Sequence, residues 1–541
     1  MKARRFIGLG LLRVAVVLIN AAVSLKATVW TVVNPADSGP GTLRAAVASS
    51  AAGDTIQFAF TGPILLASSI NIPHTLYVQG PGPSLLTIDA GGVDRAFVVS
   101  GKPVFISGIT IQHGRAVGAN GTDGGVGQNG TSGSGAAGGA IWDNGTSDIL
   151  ILSNCWLTDN MVVGGRGGNG GPNPIGAGFT PGNGGSGGYA WGGAVAVGGN
   201  NLQNYYCTYS YNRAIAGSGG NGGDNLNPAF HVVGGTGGPG STSEGGAFTG
   251  SLSTNVNCTF SENAIGGGAG GNGGNSTIAA GGAGGDGGAT AGGAINNYAG
   301  AFLSCTIVSN SAFAGAAGPG GSGAPPGANG APGDGQAGGV YAYIYAGCIN
   351  LIANSILADN YADTSYSNYY ATWTDEGYNF IGSEDYLPDC GFGPTSRIGT
   401  IVAPIHPHPG PLAQNGGGLP THATTLTSPV TDQGYSFGLT TDERGAPRPY
   451  VLGLTEPAGG DGSDVGAFEL GKADLGMSKA SNNLVLSWPA YYGDFSLQFA
   501  TSLQGSNSWS YLSASPVQVG SQLVVTNPMT NSMMFYRLIG Q

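Results

Sequence analysis

The groups that could do chemistry are sparse: six Cys, six His, 29 Asp+Glu and 17 Lys+Arg in 541 residues. Glycoside hydrolysis needs two carboxylates placed across one bond. In the middle of the chain the acids are isolated: Asp143, Asp148, Asp159, Asp224, Glu244, Glu262, Asp286, Asp334 and Asp359. No neighbouring acidic pair, GHG or RIK signature occurs there, although acids can converge from distant segments. Metal ligation fares no better. Gly219 to Asn227 fits the Ca²⁺-binding nonapeptide G-G-x-G-x-D-x-U-x, but that motif works in tandem and here stands once. His406 and His408 flank a proline with no third ligand nearby, which suits a turn. The residues therefore assign no catalytic, cofactor or metal site.

The remaining chemistry is repetitive, so the elements that position it come next. Five stretches share one pattern: Asn154-Cys-Trp-Leu-Thr-Asp-Asn160, Tyr206-Cys-Thr-Tyr-Ser-Tyr-Asn212, Asn257-Cys-Thr-Phe-Ser-Glu-Asn263, Ser304-Cys-Thr-Ile-Val-Ser-Asn310 and Asn354-Ser-Ile-Leu-Ala-Asp-Asn360. The last Asn recurs at 160, 212, 263, 310 and 360, spacings of 52, 51, 47 and 50. A degenerate earlier copy puts Ile109 in the Cys slot and Gly114 in the Asn slot. Before each stretch lies a Gly-Gly signature: Gly138-Gly-Ala-Ile141, Gly192-Gly-Ala-Val195, Gly245-Gly-Ala-Phe248, Gly292-Gly-Ala-Ile295 and Gly338-Gly-Val-Tyr341.

Residues two apart on a strand share a face. Leu157, Tyr209, Phe260, Ile307 and Leu357 therefore stack beside Cys155, Cys207, Cys258, Cys305 and Ser355 when successive units lie in register. A unit this small buries its apolar face only against its neighbours. The pattern predicts an all-β chain, a parallel β-solenoid. Its Asn160, Asn212, Asn263, Asn310 and Asn360 should form an amide ladder, each taking the left-handed turn conformation that Asn tolerates. Upstream, Thr87-Ile88 to Thr110-Ile111 spans 23 residues, about one turn of a right-handed β-helix. Each later unit is then one turn plus a Gly-rich insertion, read as a solvated loop or as polyglycine-type strands beside the coil. Leu43 to Ser49 suits an amphipathic helix capping the N-terminal edge.

An even cysteine count in an exported chain suggests disulfides. Four of these, however, share one stacked slot, where in-register Cβ atoms stand wider apart than a disulfide allows. A buried thiol ladder is the favoured reading, with Cys348 and Cys390 left to pair with each other.

Composition bounds the rest. Gly supplies 105 residues, and charged residues are 9% against 40% hydrophobic, which excludes a disordered polyelectrolyte. Collagen is excluded too, since Gly keeps no sustained three-residue period along the chain. Net charge is −12, and Lys102 is the only lysine between 27 and 471, so nucleic acid and anionic membranes are disfavoured partners. Met1-Lys-Ala-Arg-Arg5 followed by an apolar run and small residues reads as a signal peptide over 1–27. No later run is long and apolar enough to span a membrane as a helix.

The Gly-Gly-Ala-Ile and Phe-Ser-Glu-Asn263 patterns resemble the paired repeats of polymorphic outer-membrane proteins, right-handed β-helix surface proteins implicated in adhesion. The likeness covers roughly 30–370, and the chain ends without room for that family's translocating barrel. A second likeness rests on Gly410-Pro-Leu-Ala-Gln-Asn-Gly-Gly417, Thr421-His422-Ala423, Asp432-Gln-Gly434, Thr441-Asp-Glu-Arg-Gly445, Arg448-Pro449 and Asp464-Val-Gly-Ala-Phe-Glu469. These resemble the choice-of-anchor Q domain, and Ser38 to Arg44 with Asp54 to Phe58 resembles its N-terminal companion. That likeness implies a bacterial cell-surface or secreted protein and no known catalysis. The expected fold is a right-handed parallel β-helix of the pectin-lyase-like kind, with Gly-rich insertions and a small C-terminal β-sandwich. The expected divisions are a leader (1–27), the β-helix (28–400), a choice-of-anchor Q-like closing segment (401–470) and an immunoglobulin- or fibronectin-like module (471–541). The expected function is non-catalytic and structural or adhesin-like, with glycans or cell-envelope components as partners. The alternative is an extracellular polysaccharide lyase or glycoside hydrolase.

Overall fold

A computed structural model describes residues 27–540, apart from 101–102, 146–148, 200, 344–349, 385–390, 494, 504–508, 521 and 530–532. The leader, save Ala27, and Cys348 and Cys390 lie outside the described residues.

The chain forms a parallel β-helix. Strands pair in parallel from Val29–Val32 to Arg397–Thr400, each with its counterpart one turn on. Thr87 pairs with Thr110, as the short early turn requires. Later turns hold the same register through their long insertions: Cys155 opposes Cys207, and Tyr209 opposes Phe260, which opposes Ile307 and then Leu357. Inside lies one continuous core, from Val32 through Ile88, Leu157, Phe248 and Phe260 to Trp373. Leu43–Ser49 is helical, with Thr42 Oγ1 capping Ala45 N–H, and buries Leu43, Ala46 and Val47 at the N-terminal end.

Two details differ from the sequence reading. The left-handed residue is the one before each ladder Asn: Asp159, Tyr211, Glu262, Ser309 and Asp359 have φ of 53°, 58°, 59°, 59° and 55°. The corner sits one position earlier because the Asn side chain must turn inward to bond backbone. In the last Gly-Gly unit, Val340 rather than Tyr341 opposes Ile295. Ala337, at φ 55°, takes the left-handed place held by Gly138, Gly192, Gly245 and Gly292, so Tyr341 faces outward.

The insertions are not solvated loops. Each leaves the coil through one strand of a six-stranded parallel sheet and returns through one strand of a five-stranded sheet. Between them run an outgoing and a returning leg with three-residue periodicity. On one outgoing leg Gly164, Gly167 and Gly170 N–H groups donate to Ile215, Ser218 and Asn221 of the next turn. Gly165, Gly168 and Gly171 donate to Ser134, Thr131 and Gln128 of a returning leg. Three residues per turn is the polyproline II helix. Bundled this way, it bonds sideways in two directions and leaves every third residue facing solvent. The G-G-x pattern follows from space: a Cβ on Gly167 would lie 2.0 Å from Gly185 O, and one on Gly168 2.0 Å from Thr122 O. The period is therefore local to these legs, with two glycines per triplet, unlike collagen.

The third residues build their own array. Asp123 Oδ1 accepts Asn169 N–H at 2.6 Å, Asn169 Oδ1 accepts Asn221 N–H at 3.0 Å, and Asn221 Oδ1 accepts Asn272 N–H at 2.9 Å. Gly219 to Asp224, the first six residues of the nonapeptide, lie in one such leg, and Asp224 Oδ1 accepts Asn275 N–H. Near the tips, Asn173 Nδ2 donates to Asn225 Oδ1 inside the bundle.

Residues 401–470 lie along the coil. Beyond them, antiparallel strands from Gly476–Ala480 to Phe535–Gly540 form sheets of four and three strands. Their core of Leu486, Trp488, Leu497 and Val525 packs on Phe468 and Leu470.

Candidate functional site

The ladder residues meet. Asn160 Nδ2 donates to Asn212 Oδ1, Asn212 to Asn263, Asn263 to Asn310 and Asn310 to Asn360, each at 2.9 Å. Each Oδ1 also accepts the backbone N–H of the Asn one turn before, at 3.0–3.2 Å. Gly114 N–H starts the column on Asn160 Oδ1, and Asn368 Oδ1 continues it past Asn360. Asn368 escapes a fifty-residue search because the last turn carries no insertion. Cys155, Cys207, Cys258 and Cys305 are free, buried thiols. Burial pushes the Cys155 and Cys258 thiols up.

The densest ionic chemistry lies where 401–470 meets the coil. The outward Thr208, Thr259 and Thr306 between the core residues are covered there. Thr208 Oγ1 lies 2.8 Å from Glu443 Oε1 and 2.9 Å from Pro420 O, and Thr259 Oγ1 bonds Glu443 Oε2. Ala467 N–H donates to Thr306 Oγ1 at 2.9 Å. His422 joins Gly410 O and Ser261 Oγ at 2.7 and 2.8 Å, and burial lowers its pKa. Arg448 Nε meets Glu469 Oε2 at 2.7 Å, and Nη1 reaches Asn257 Oδ1 at 3.2 Å. Arg444 pairs with Asp442 at 2.7 Å, its guanidinium 3.7 Å above the Phe468 ring. Asp464 accepts N–H groups of Asp432 and Leu470.

These acids belong to the short motifs of 432–469 read in the sequence, and here they bond within the protein. Burial pushes Glu443, Asp464 and Glu469 upward, while Arg448 pulls Asp464 and Glu469 back. Bound to backbone N–H groups, threonines and arginines, they form a clasp between this segment and the coil. The sequence showed their spacing but not which coil residues they would grip.

One polar cleft of about 240 Å³ opens where this segment starts, lined by Asp359, Asn360, Asn368, Ser383, Ile405 and His406. His406 Nδ1 is 2.5 Å from Asp359 Oδ1. His408 has a left-handed backbone, φ 48°, as a turn requires. Among the described residues, Asp359 is the acid in this lining. Asp159, Glu262 and Asp359 share one column but on alternate turns, with Tyr211 and Ser309 between. Among the described residues no group of three or more His, Cys, Asp or Glu is placed to hold a metal ion. No described helix is long and apolar enough to cross a membrane.

No protein-family model and no curated protein matches the chain. Among solved structures, a mutant of a PL6-family alginate lyase aligns at 10% identity and a TM-score of 0.14, covering 78% of this chain and 60% of that one. The parallel coil is read from its own strand pairings, and this likeness adds no argument to it.

Proposed function

We propose that the protein is a non-catalytic scaffold of adhesin type, secreted or held at a bacterial cell surface, with glycans or cell-envelope components as its partners. The observation that carries this reading is the glycine lattice. Long, mutually bonded legs hold large apolar side chains away from the coil, with Ile175 79% and Phe179 55% exposed beside Leu226 and Val233. Exposed apolar groups on a rigid support are the material of a contact surface. The resemblance to choice-of-anchor Q and polymorphic outer-membrane proteins agrees with export and with adhesion. The acidic net charge argues against nucleic acid.

The test is adhesion of the full chain to cells and to immobilised envelope polysaccharides, with product release assayed on the same polysaccharides. Saturable binding without products supports the reading, and loss of adhesion in the double variant Ile175→Ser/Phe179→Ser assigns it to the tips. Turnover would overturn it in favour of a polysaccharide lyase or glycoside hydrolase. The His406–Asp359 cleft is the observation that favours the lyase form of that second reading, and His406→Ala should then abolish product release.

A further inference from the structure

The six-stranded parallel sheet has an open outer face. Its inward residues, from Ala116 and Val162 to Ala312 and Ala362, share a buried core with Ala136 and Ala190 of the returning strands. Its outward residues stand in two columns. One holds Arg115, Met161, Arg213, Ala264, Ser311 and Tyr361, and beside it run Val117, Val163, Ile215, Gly266 and Phe313. Asp363 N–H donates to Ala312 O at 3.2 Å and so extends the second column. Val117, Ile215, Phe313 and Tyr361 are 53%, 41%, 48% and 52% exposed. Arg115, Arg213 and Asp363 are exposed as well. Parallel sheets are ordinarily covered on both faces. The outward threonines of the coil have their cover in 401–470.

Gly266 breaks the second column. A Cβ there would meet nothing within 4 Å, and its backbone is not left-handed. Nothing inside the chain requires that glycine. Gly267, next to it, differs, since a Cβ there would lie 2.1 Å from Gly288 O. The result is a notch between Ile215 and Phe313. Bulk and charge are also divided along the axis. Arg115, Met161 and Arg213 occupy the first three turns, with Arg166 on the adjoining leg, whereas Ala264, Ser311 and Ala316 hold the matching places on the fourth and fifth. Exposed Glu262 and Asp363 lie on the fourth and sixth turns. Among the described residues neither Arg115 nor Arg213 has an ion pair.

We propose that this face binds a second copy of the chain, related by a two-fold axis running along the strands between the third and fourth turns. The coils then lie antiparallel, and each contact occurs twice. Ile215 enters the Gly266 notch of the other copy. Arg213 crosses Ala264 to reach Glu262, Met161 lies on Ser311, and Val163 on Phe313. Arg115 meets Tyr361 beside Asp363, and Arg166 lies over Ala316. Asp159, the exposed acid of the second turn, falls opposite Ser309 and not opposite another acid. A two-fold along the coil axis instead sets each turn against itself and leaves the notch empty. By strand spacing and rise the sheet columns and the adjoining leg span about 29 by 20 Å, so two copies bury about 1,100 Å² or more, enough for a specific interface.

The test is sedimentation velocity of the full chain over about 1–100 μM, where a reversible dimer is expected. Gly266→Tyr has room within one copy and fills the notch, so it should weaken the dimer about tenfold or more, as should Ile215→Glu. Arg213→Glu should weaken it several-fold, and Arg213→Glu/Glu262→Arg should restore it. Circular dichroism melts check that each variant is folded. A monomer at every concentration overturns the proposal. So does a dimer left unchanged by both Gly266→Tyr and Ile215→Glu, or a double charge reversal no better than Arg213→Glu. The adhesion variant Ile175→Ser/Phe179→Ser should leave the dimer intact, and its dissociation would place the contact at the tips and overturn this face.

Discussion

Asn212 Nδ2 donates to Asn263 Oδ1 at 2.9 Å across 51 residues of sequence, and the same oxygen accepts the Asn212 backbone N–H at 3.2 Å. One amide thus fills two needs of the turn before it. Its own Nδ2 also meets Tyr209 O at 3.0 Å and Asn310 Oδ1 at 2.9 Å. Asn263→Ala strands donors and acceptors on both neighbouring turns. The expected loss is on the order of 2–4 kcal/mol, more than a single hydrogen bond, because the orphaned groups are buried. A lowered denaturant midpoint, with hydrogen exchange speeding first at 209–215 and 310–313, checks it.

The lattice makes a sharper contrast between adjacent residues. A Cβ on Gly220 would lie 1.9 Å from Gly168 O, and backbone cannot yield as a flexible side chain can. Asn221, next in the chain, faces solvent. Gly220→Ala should therefore split the bundle, with a loss of several kcal/mol or failure to fold. Asn221→Ala should cost about 1 kcal/mol or less. Thermal melts of the two variants beside the parent decide this, and equal melting temperatures would mean the legs are not packed.

How far the sequence could be read follows from the same residues. The fifty-residue period of Cys and Asn was visible because stacking forces one side-chain type into one slot, and the register Cys155 to Cys207 follows from it. The lattice was only half visible. Gly-Gly triplets such as Gly164-Gly-Arg-Gly-Gly-Asn-Gly-Gly171 carry it, but their partners lie on other turns, and flexibility and close packing both select glycine. The left-handed corners at Asp159, Tyr211 and Glu262 were hidden because three unlike residues fill one backbone role. The clasp was hidden for another reason: Thr208 and Glu443 are 235 residues apart and belong to no common period.

The stacked thiols carry a chemical expectation. Cys155, Cys207, Cys258 and Cys305 are buried and unbridged. Burial raises the Cys155 and Cys258 thiols, so thiolate, the form that reacts, is scarce there. Iodoacetamide should leave all four unmodified in the native protein at neutral pH and modify all four after denaturation without reductant. Mass spectrometry of tryptic peptides reads both states, and a Cys155–Cys207 disulfide would show that the slot does not hold its side chains apart.

Glu443 makes the last prediction, because its contacts and its burial both bear on its proton. The Thr208 hydroxyl has one hydrogen yet lies within bonding distance of both Pro420 O and Glu443 Oε1. When it donates to the carbonyl, the carboxyl supplies the other hydrogen, an arrangement that holds Glu443 as the neutral acid. Burial pushes its pKa in that same direction, well above the usual carboxylate range. Glutamine can copy this arrangement, donating from Nε2 to Thr208 and accepting at Oε1 from Thr259, whereas alanine leaves both threonines without their partner. Glu443→Gln should thus keep near-parental stability at pH 5, and Glu443→Ala should expose 401–470 to proteolysis. The sign with pH follows from linkage. A carboxyl raised on folding contributes its full stability below the unfolded value near 4.5 and loses it as pH climbs toward the folded value. The parent should therefore weaken relative to Glu443→Gln as pH rises above about 4.5, with other buried acids common to both chains. Denaturant midpoints of the two proteins between pH 4 and 9 would show the difference, and parallel curves would mean that Glu443 is ionised in the clasp.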